Sequence, residues 1–305
     1  MDADANSSML VTGGRGFIGR AVVKLLQREG YRVVSLDASA VESGSDCESV
    51  REIECDIGNA GELRRTFEMG PIDGIVHLAA ILPTAAQRDP GIALRVNVEG
   101  GAHVLGMASM FGVRRVVFGS SLSIYGTYAA DRVVSEIDRA SPEDSYGAAK
   151  LYVELLGRSD RGRPGMEFVS LRIGRVVGPG ARSTTSAWRS EIFEFLKANH
   201  PVEIAMPYVG AERILLVHVD DAAKMLVTLL RAPNLKHSLY NAACESTTVA
   251  ELKREVEALN PNITVKVGEE YANGNPRQVD FSRFTREFSF ATTPMREQLR
   301  RAAGS

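Results

Sequence analysis

A chain of 305 residues, 44% hydrophobic and 24% charged, is long enough to bury a large core as one big domain or two unequal ones. A formal net charge of −2 and a sequence pI near 6.3 leave no bulk electrostatic case for nucleic acid or an anionic membrane. No apolar run approaches the roughly 20 residues that span a bilayer. The start, MDADANSS, is acidic and polar and has neither secretory nor transit character. Cys47, Cys55 and Cys244 are scattered and suit reduced thiols, so the expected location is the cytoplasm. The five histidines do not pair at metal-ligand spacing, and no metal is expected.

In chain order, MLVTGG (9–14) reads as a strand stopped by glycines, and GFIGRAVVKLLQREG (16–30) as a helix ending at Gly30. YRVVSLD (31–37) and VREIECDI (50–57) are further strands, followed by a short helix in GELRRTFEMG. IDGIVHLAA (72–80) is a nearly continuous apolar run, as in a strand buried on both faces. A long helical stretch over 90–111 leads to the strand RRVVFGSS (114–121). SYGAAKLYVELLGRS then supplies a helix and MEFVSLRIG (166–174) a strand. Beyond 175 the rhythm loosens. A helix is expected over 187–200, a strand and helix over 214–230 begun by Asp220 and Asp221, and a strand over 238–243. A last clear helix is capped by Thr247 or Thr248, and short strand and helix follow from 262.

Alternating strands and helices predict an α/β fold: a Rossmann-type, doubly wound parallel sheet with a small C-terminal substrate-binding lobe. The expected division is 1–174 with 211–243 as the domain of the parallel sheet, and 175–210 with 244–305 as the lobe.

GGRGFIG (13–19) follows a strand and opens a helix, the context a dinucleotide fingerprint requires. Gly13 permits the tight turn, Gly16 the approach of backbone to pyrophosphate, and Gly19 the packing of helix on strand. Arg15, Phe17 and Ile18 belong to the same cradle, whose helix N-terminus offers N–H groups to phosphate. Asp37 ends the second strand, where a carboxylate accepts from ribose hydroxyls and repels a 2′-phosphate, so NAD is expected over NADP. Arg15 and Arg32 are the nearby cations that weigh against it. Tyr146 and Lys150, in SYGAAK, fall one turn apart on a helix face; alone, that spacing fits an ordinary surface as well as a catalytic pair.

Taken in order, TGGRGFIG, CDI (55–57), HLAA (77–80), VNVEG (96–100), SSLSIYG (120–126), YGAAK (146–150), LRIGRVVGPG (171–180) and VHVDDAA (217–223) resemble the extended short-chain dehydrogenase/reductase family. The similarity is to its NAD-dependent epimerase/dehydratase branch and extends to about residue 245. That resemblance implies Tyr146 as general acid/base and Lys150 as the residue that holds the nicotinamide ribose and lowers the tyrosine pKa. It implies Ser121 as the group orienting the substrate hydroxyl, with Ser123 a secondary contact and Ser120 at the strand end beside the cofactor. Asp56 would contact the adenine amino group with Ile57 beside the ring. Leu78, Ala79 and Ala80 would lie along the ribose and pyrophosphate, and Asn97 would serve the same region or a backbone group near it.

On the substrate side, Arg175 stands where nucleotide-sugar epimerases usually carry an asparagine. With His218 aligned, the arginine that begins their RDF-x-HVDD run falls on Ile214, and Arg213 is one residue early. Arg175, Arg182, Arg189 and Arg213 are candidates to clamp a diphosphate or a carboxylate. Leu122 and Ser123 occupy the positions of the dehydratases' acidic pair, which disfavours dehydration. The resemblance leads to an NAD-dependent epimerase of a nucleotide sugar, with a dehydrogenase of a sugar acid or aldose as the alternative. A non-catalytic sensor is disfavoured by the intact Ser121, Tyr146 and Lys150. A homodimer is expected through the helices at 90–111 and 146–159, with Leu94, Val98, Leu105, Leu151 and Leu155 serving that surface or the core.

Overall fold

A computed structural model describes residues 8–40, 49–159, 165–181 and 186–304. Cys47 and Arg182 lie outside the described residues. The first part of the chain carries five strands: β1 (Ser8–Thr12), β2 (Arg32–Asp37), β3 (Val50–Glu54), β4 (Ile72–His77) and β5 (Arg115–Ser121). With Glu167–Ile173 and Leu239–Asn241 they form a seven-stranded sheet in which every pairing is parallel. β2 and β3 lie outward of β1 on one side, whereas β4, β5, Glu167–Ile173 and Leu239–Asn241 follow in turn on the other. The order therefore reverses between β1 and β4, and the crevice above their C-terminal ends is where such sheets bind ligands.

Alternation along β1 distributes the core. Val11 faces the layer containing Val22, Leu26 and the helix Val219–Arg231, while Leu10 faces the layer of Leu36, Ile57, Leu63 and Leu105. Each such fully buried leucine contributes about 1.5–3 kcal/mol over leaving it in water. A third cluster, of Val177, Trp188, Ile192, Met206, Ile214, Leu216, Leu252 and Leu299, sits apart from both. Phe284, from the C-terminal part, packs instead into the large core.

The long helix expected over 90–111 is three pieces: Pro90–Leu94, a π-helical turn Arg95–Gly100, and Gly101–Met110. Gly100 and Gly101 let this segment sit close, since a Cβ would fall 2.7 Å from Ile57 and 2.7 Å from Val153 respectively. The helix expected over 187–200 is shorter, Trp188–Glu194 with one 3₁₀ turn to Lys197. It stops because the Asn260 amide takes the carbonyls of Phe195, Leu196 and Ala198 at 3.2, 3.2 and 2.9 Å.

Helix Val219–Arg231 is capped by His218, whose Nδ1 accepts from the Asp220 amide at 3.3 Å; Asp220 and Asp221 occupy its first turn. Thr248, not Thr247, caps Val249–Leu259 through a capping box with Glu251. Two pairings went unread in the sequence: Val202–Tyr208 with Ile263–Glu270, parallel, and Glu245–Thr248 with Arg213–His218, antiparallel.

Candidate active site

β5 runs buried up to Ser121 and turns through a 3₁₀ segment, Leu122–Ile124. The Ser121 hydroxyl accepts from the Ser123 amide (3.2 Å) and hydroxyl (2.9 Å), which leaves its own hydrogen for another acceptor. The Asp144 carboxylate accepts from the Gly147 amide at 2.6 Å and so caps helix Ser145–Ser159. Gly147 lets the first turn of this helix press on the serine turn, because a Cβ there would lie 2.7 Å from the Ser123 carbonyl oxygen. The helix is fixed from behind by a buried, bidentate pair. Arg172 donates to Glu154 at 3.0 and 2.7 Å and stacks 4.6 Å from the Tyr125 ring centroid.

Tyr146 and Lys150 face the same side. The Lys150 ammonium is 5.6 Å from the Tyr146 ring centroid and 4.7 Å from that of Phe118, and donates to the Gly119 carbonyl at 2.8 Å. Burial lowers its pKa to about 8 against the pull of Glu154. Burial and then the Asp144 charge push the Tyr146 phenol up to about 12, opposed by Arg189. Desolvation thus outweighs charge at the phenol, and Arg189 favours its ionised form.

At the switch point, the Thr12 hydroxyl accepts from the Leu78 and Ala79 amides (3.2 and 3.3 Å) and donates to His77 Nδ1 at 2.6 Å. The imidazole is therefore neutral with its hydrogen on Nε2. Burial, with Lys150 nearby, lowers its pKa from 6.5 to about 3. The unfolded chain accordingly binds more protons than the folded one between those values, so this group's stabilisation fades as pH falls from about 6.5 towards 3. We expect the melting temperature to drop across that window, and a His77→Gln variant to show a shallower slope. Equal slopes would exclude His77 as the source.

The glycine-rich loop fits a dinucleotide. Gly13 adopts φ +69° and lies where a Cβ would meet the Ala79 nitrogen at 2.7 Å, while one on Gly19 would fall 2.0 Å from the Gly13 oxygen and one on Gly16 3.0 Å. Helix α1 (Phe17–Arg28) has no side-chain cap at Gly16 and no acidic residue in its first turn, so the amides of Phe17 and Ile18 suit an anion. Asp37 accepts from the Arg15 amide at 3.1 Å and from the Ser39 amide and hydroxyl at 3.1 and 2.9 Å. Leu78, Ala79 and Ala80 are partly exposed beside this loop. Asn97 brackets Ile81, donating to its carbonyl (2.9 Å) and accepting from its amide (2.7 Å), and so shapes the turn after Ala80.

Asp56 accepts from Gly58 at 2.9 Å and pairs with Arg95 at 2.5 Å, an arginine that sequence reasoning missed; Ile57 is buried beneath Gly100. The Ser120 hydroxyl is buried with no hydrogen-bond partner among the described residues.

Across the crevice, strand Arg175–Val177 pairs in parallel with Arg213–His218, with Arg175 opposite Leu216. Arg175 thus shares a face with Ile214 and Leu216, which belong to the small core, whereas Arg213 shares a face with Leu215 and Val217, which belong to the large one. The Arg175 guanidinium lies 5.5 Å from the Tyr208 ring centroid. Arg189 bonds Tyr208, is destabilised as a cation by burial and then by Arg175, and acts on Tyr146. Its Nε is buried with no hydrogen-bond partner among the described residues. Arg175, Arg189, Tyr208 and Tyr146 therefore converge. Arg213 does not join them; it reaches the Ser246 carbonyl and hydroxyl at 3.3 and 3.4 Å.

A doubly wound parallel sheet with a glycine-rich loop at its switch point and a Ser–Tyr–Lys set beside it defines a dinucleotide-dependent oxidoreductase of the short-chain type. The model of the NAD dependent epimerase/dehydratase family matches residues 9–243, and the chain belongs to that family. It is 25% identical over 276 residues to a UDP-glucuronate 4-epimerase of Thermodesulfobacterium geofontis, covering 87% of this chain and 83% of that protein. It is 31% identical over 221 residues to a D-erythronate dehydrogenase of Cupriavidus necator, 66% of each chain. The structure of MoeE5 in complex with UDP-glucose and NAD superimposes with a TM-score of 0.79 at 28% identity, over 98% of both chains.

Proposed function

We propose that this protein is a dehydrogenase that oxidises the secondary carbinol of a compact, anionic sugar derivative, with a sugar acid as the substrate class. NAD+ supplies the hydride acceptor when bound. Ser121 holds the hydroxyl oxygen, and Tyr146 as phenolate takes the hydroxyl proton while the carbinol carbon gives up a hydride and becomes a ketone. The observation that carries the reading is the buried Arg189, which bonds Tyr208 and acts on Tyr146, with the Arg175 guanidinium beside it at 5.5 Å from the Tyr208 ring centroid. One guanidinium beside the reacting phenol and a second next to it suit a carboxylate close to the carbinol. The unit 1–174 with 211–243 then holds the nucleotide and 175–210 with 244–305 the substrate.

A second reading, epimerisation of a nucleotide sugar, is favoured by the full-length similarity to MoeE5, solved with UDP-glucose and NAD. Against it, Arg213 turns to the face opposite Arg175 and leaves an apolar Ile214 where a diphosphate grip would stand. An epimerase retains its reduced cofactor between half-reactions, whereas a dehydrogenase releases it every turnover. A panel of aldonic and uronic acids, aldoses and nucleotide sugars with added NAD+ separates the two by NADH absorbance. Sustained NADH formation on an acid is the expected result; epimerised nucleotide sugar without net NADH would reject it.

We also assign a homodimer to the helices Pro90–Met110 and Ser145–Ser159. Leu94 and Leu155 are 57% and 54% exposed on them, whereas Leu105 is buried in the core. Among the described residues no helix is long and apolar enough to cross a membrane.

A further inference from the structure

We infer that Glu52 is a second determinant of NAD over NADP, acting as a positioning residue that keeps Arg15 from a 2′-phosphate. Arg15 is the one cation within GGRGFIG. A 2′-phosphate carried on the adenosine ribose would arrive beside Asp37, and an arginine at that point is what accommodates it. The Arg15 guanidinium is committed elsewhere. Its Nη1 pairs with Glu52 Oε2 at 3.1 Å, its Nε donates to the Ser39 hydroxyl at 3.1 Å, and its Nη2 donates to the carbonyls of Asp37 (3.3 Å) and Ser39.

Glu52 is itself held. It stands directly opposite Ser35 across the β2–β3 pairing and accepts from the Ser35 hydroxyl at 3.0 Å. Ser35 is fully buried under Gly14, where a Cβ would fall 2.3 Å from the serine oxygen. The side chains of Arg15 and Glu52 are only 16% and 13% exposed, so their attraction is poorly screened. Arg32, the other cation suggested by the sequence, opens β2 and lies at the far end of the strand, roughly 16 Å from Asp37 at 3.3 Å per residue. A 2′-phosphate thus meets the Asp37 carboxylate and an arginine already neutralised.

Sequence alone makes Arg15 a candidate phosphate ligand. The register of β3 is what turns Glu52 towards it. Selectivity is then shared between a carboxylate that meets the ribose and one that never touches it.

The test is direct binding by calorimetry, with NAD+, NADP+ and 2′,5′-ADP as probes, for wild type, Glu52→Gln, Arg15→Ala and the double variant. Glu52→Gln is expected to tighten NADP+ and 2′,5′-ADP about tenfold, the effect of one additional charge-assisted hydrogen bond, while NAD+ changes less than twofold. In the Arg15→Ala background the same substitution is expected to move none of the three. Equal weakening of NAD+ and NADP+ by Glu52→Gln would overturn the inference and make Glu52 a structural residue. Tighter NADP+ binding that survives in the Arg15→Ala background would overturn it too, by showing direct repulsion. Should Glu52→Gln fold poorly, Ser35→Ala loosens Glu52 alone and is expected to shift the NADP+/NAD+ ratio the same way; an unchanged ratio counts against the inference.

Discussion

Tyr146→Phe is expected to lower kcat about 10³-fold at neutral pH while leaving NAD+ affinity within about twofold, the range that loss of a positioned acid/base group gives. The substitution keeps the ring that lies 5.6 Å from the Lys150 ammonium and removes only the hydroxyl. Single-turnover measurements with added NAD+ and a turned-over acid check it, and a variant retaining most of its activity would remove Tyr146 from the chemistry. The pH dependence carries a second signature. Because burial holds the phenol up near 12 and the phenolate is the working form, turnover should rise with pH through the neutral range. Arg189 opposes that shift, so Arg189→Met should move the rising limb to higher pH.

Removing both guanidiniums, in Arg175→Met/Arg189→Met, is expected to cost about 10²–10³ in kcat/KM on an acid substrate. Each charge-assisted hydrogen bond contributes about 1.5–3 kcal/mol, and neighbouring cations that share one anion do not add fully. On a neutral aldose the loss should be much smaller. Arg189→Lys should recover part of the affinity, since it restores charge without the planar fork. If acid and neutral substrates suffered alike, the pair would be serving the shape of the lobe and not its charge.

Much of the large domain was legible because its signals are local. The glycine-rich loop, Asp37 at a strand end, and Tyr146 with Lys150 one helical turn apart each depend on a few consecutive residues. What escaped depends on partners distant in sequence. The strands Val202–Tyr208 and Ile263–Glu270 alternate locally, but nothing local shows that they pair with each other across some sixty residues of chain. Arg189 resembles an ordinary surface arginine until Tyr208, Arg175 and Tyr146 surround it. Arg213 shows the same limit more sharply: a shift of one position along a strand exchanges one face for the other, and only the pairing says which face matters. The π-helical turn at Arg95–Gly100 leaves no local mark either, because it answers to close packing on Ile57.

The two margins of the large sheet also bear on how the chain avoids adding strands from a neighbour. An uncovered parallel edge is a template for aggregation. At one margin β3 carries Arg51, Glu52 and Glu54 among its five residues, so a foreign strand would have to align against like and unlike charges in a fixed register. At the other, Leu239–Asn241 is only three residues long and already occupied: Arg283 takes the Leu239 carbonyl at 2.9 Å, Glu136 the Asn241 amide at 2.8 Å, and Asn241 the Asp280 carbonyl at 2.9 Å. Charge guards one side and hydrogen bonding the other. Glu52 consequently does two jobs from a single position, and substitutions there that improve tolerance of a phosphorylated cofactor also soften the sheet's own defence against self-association.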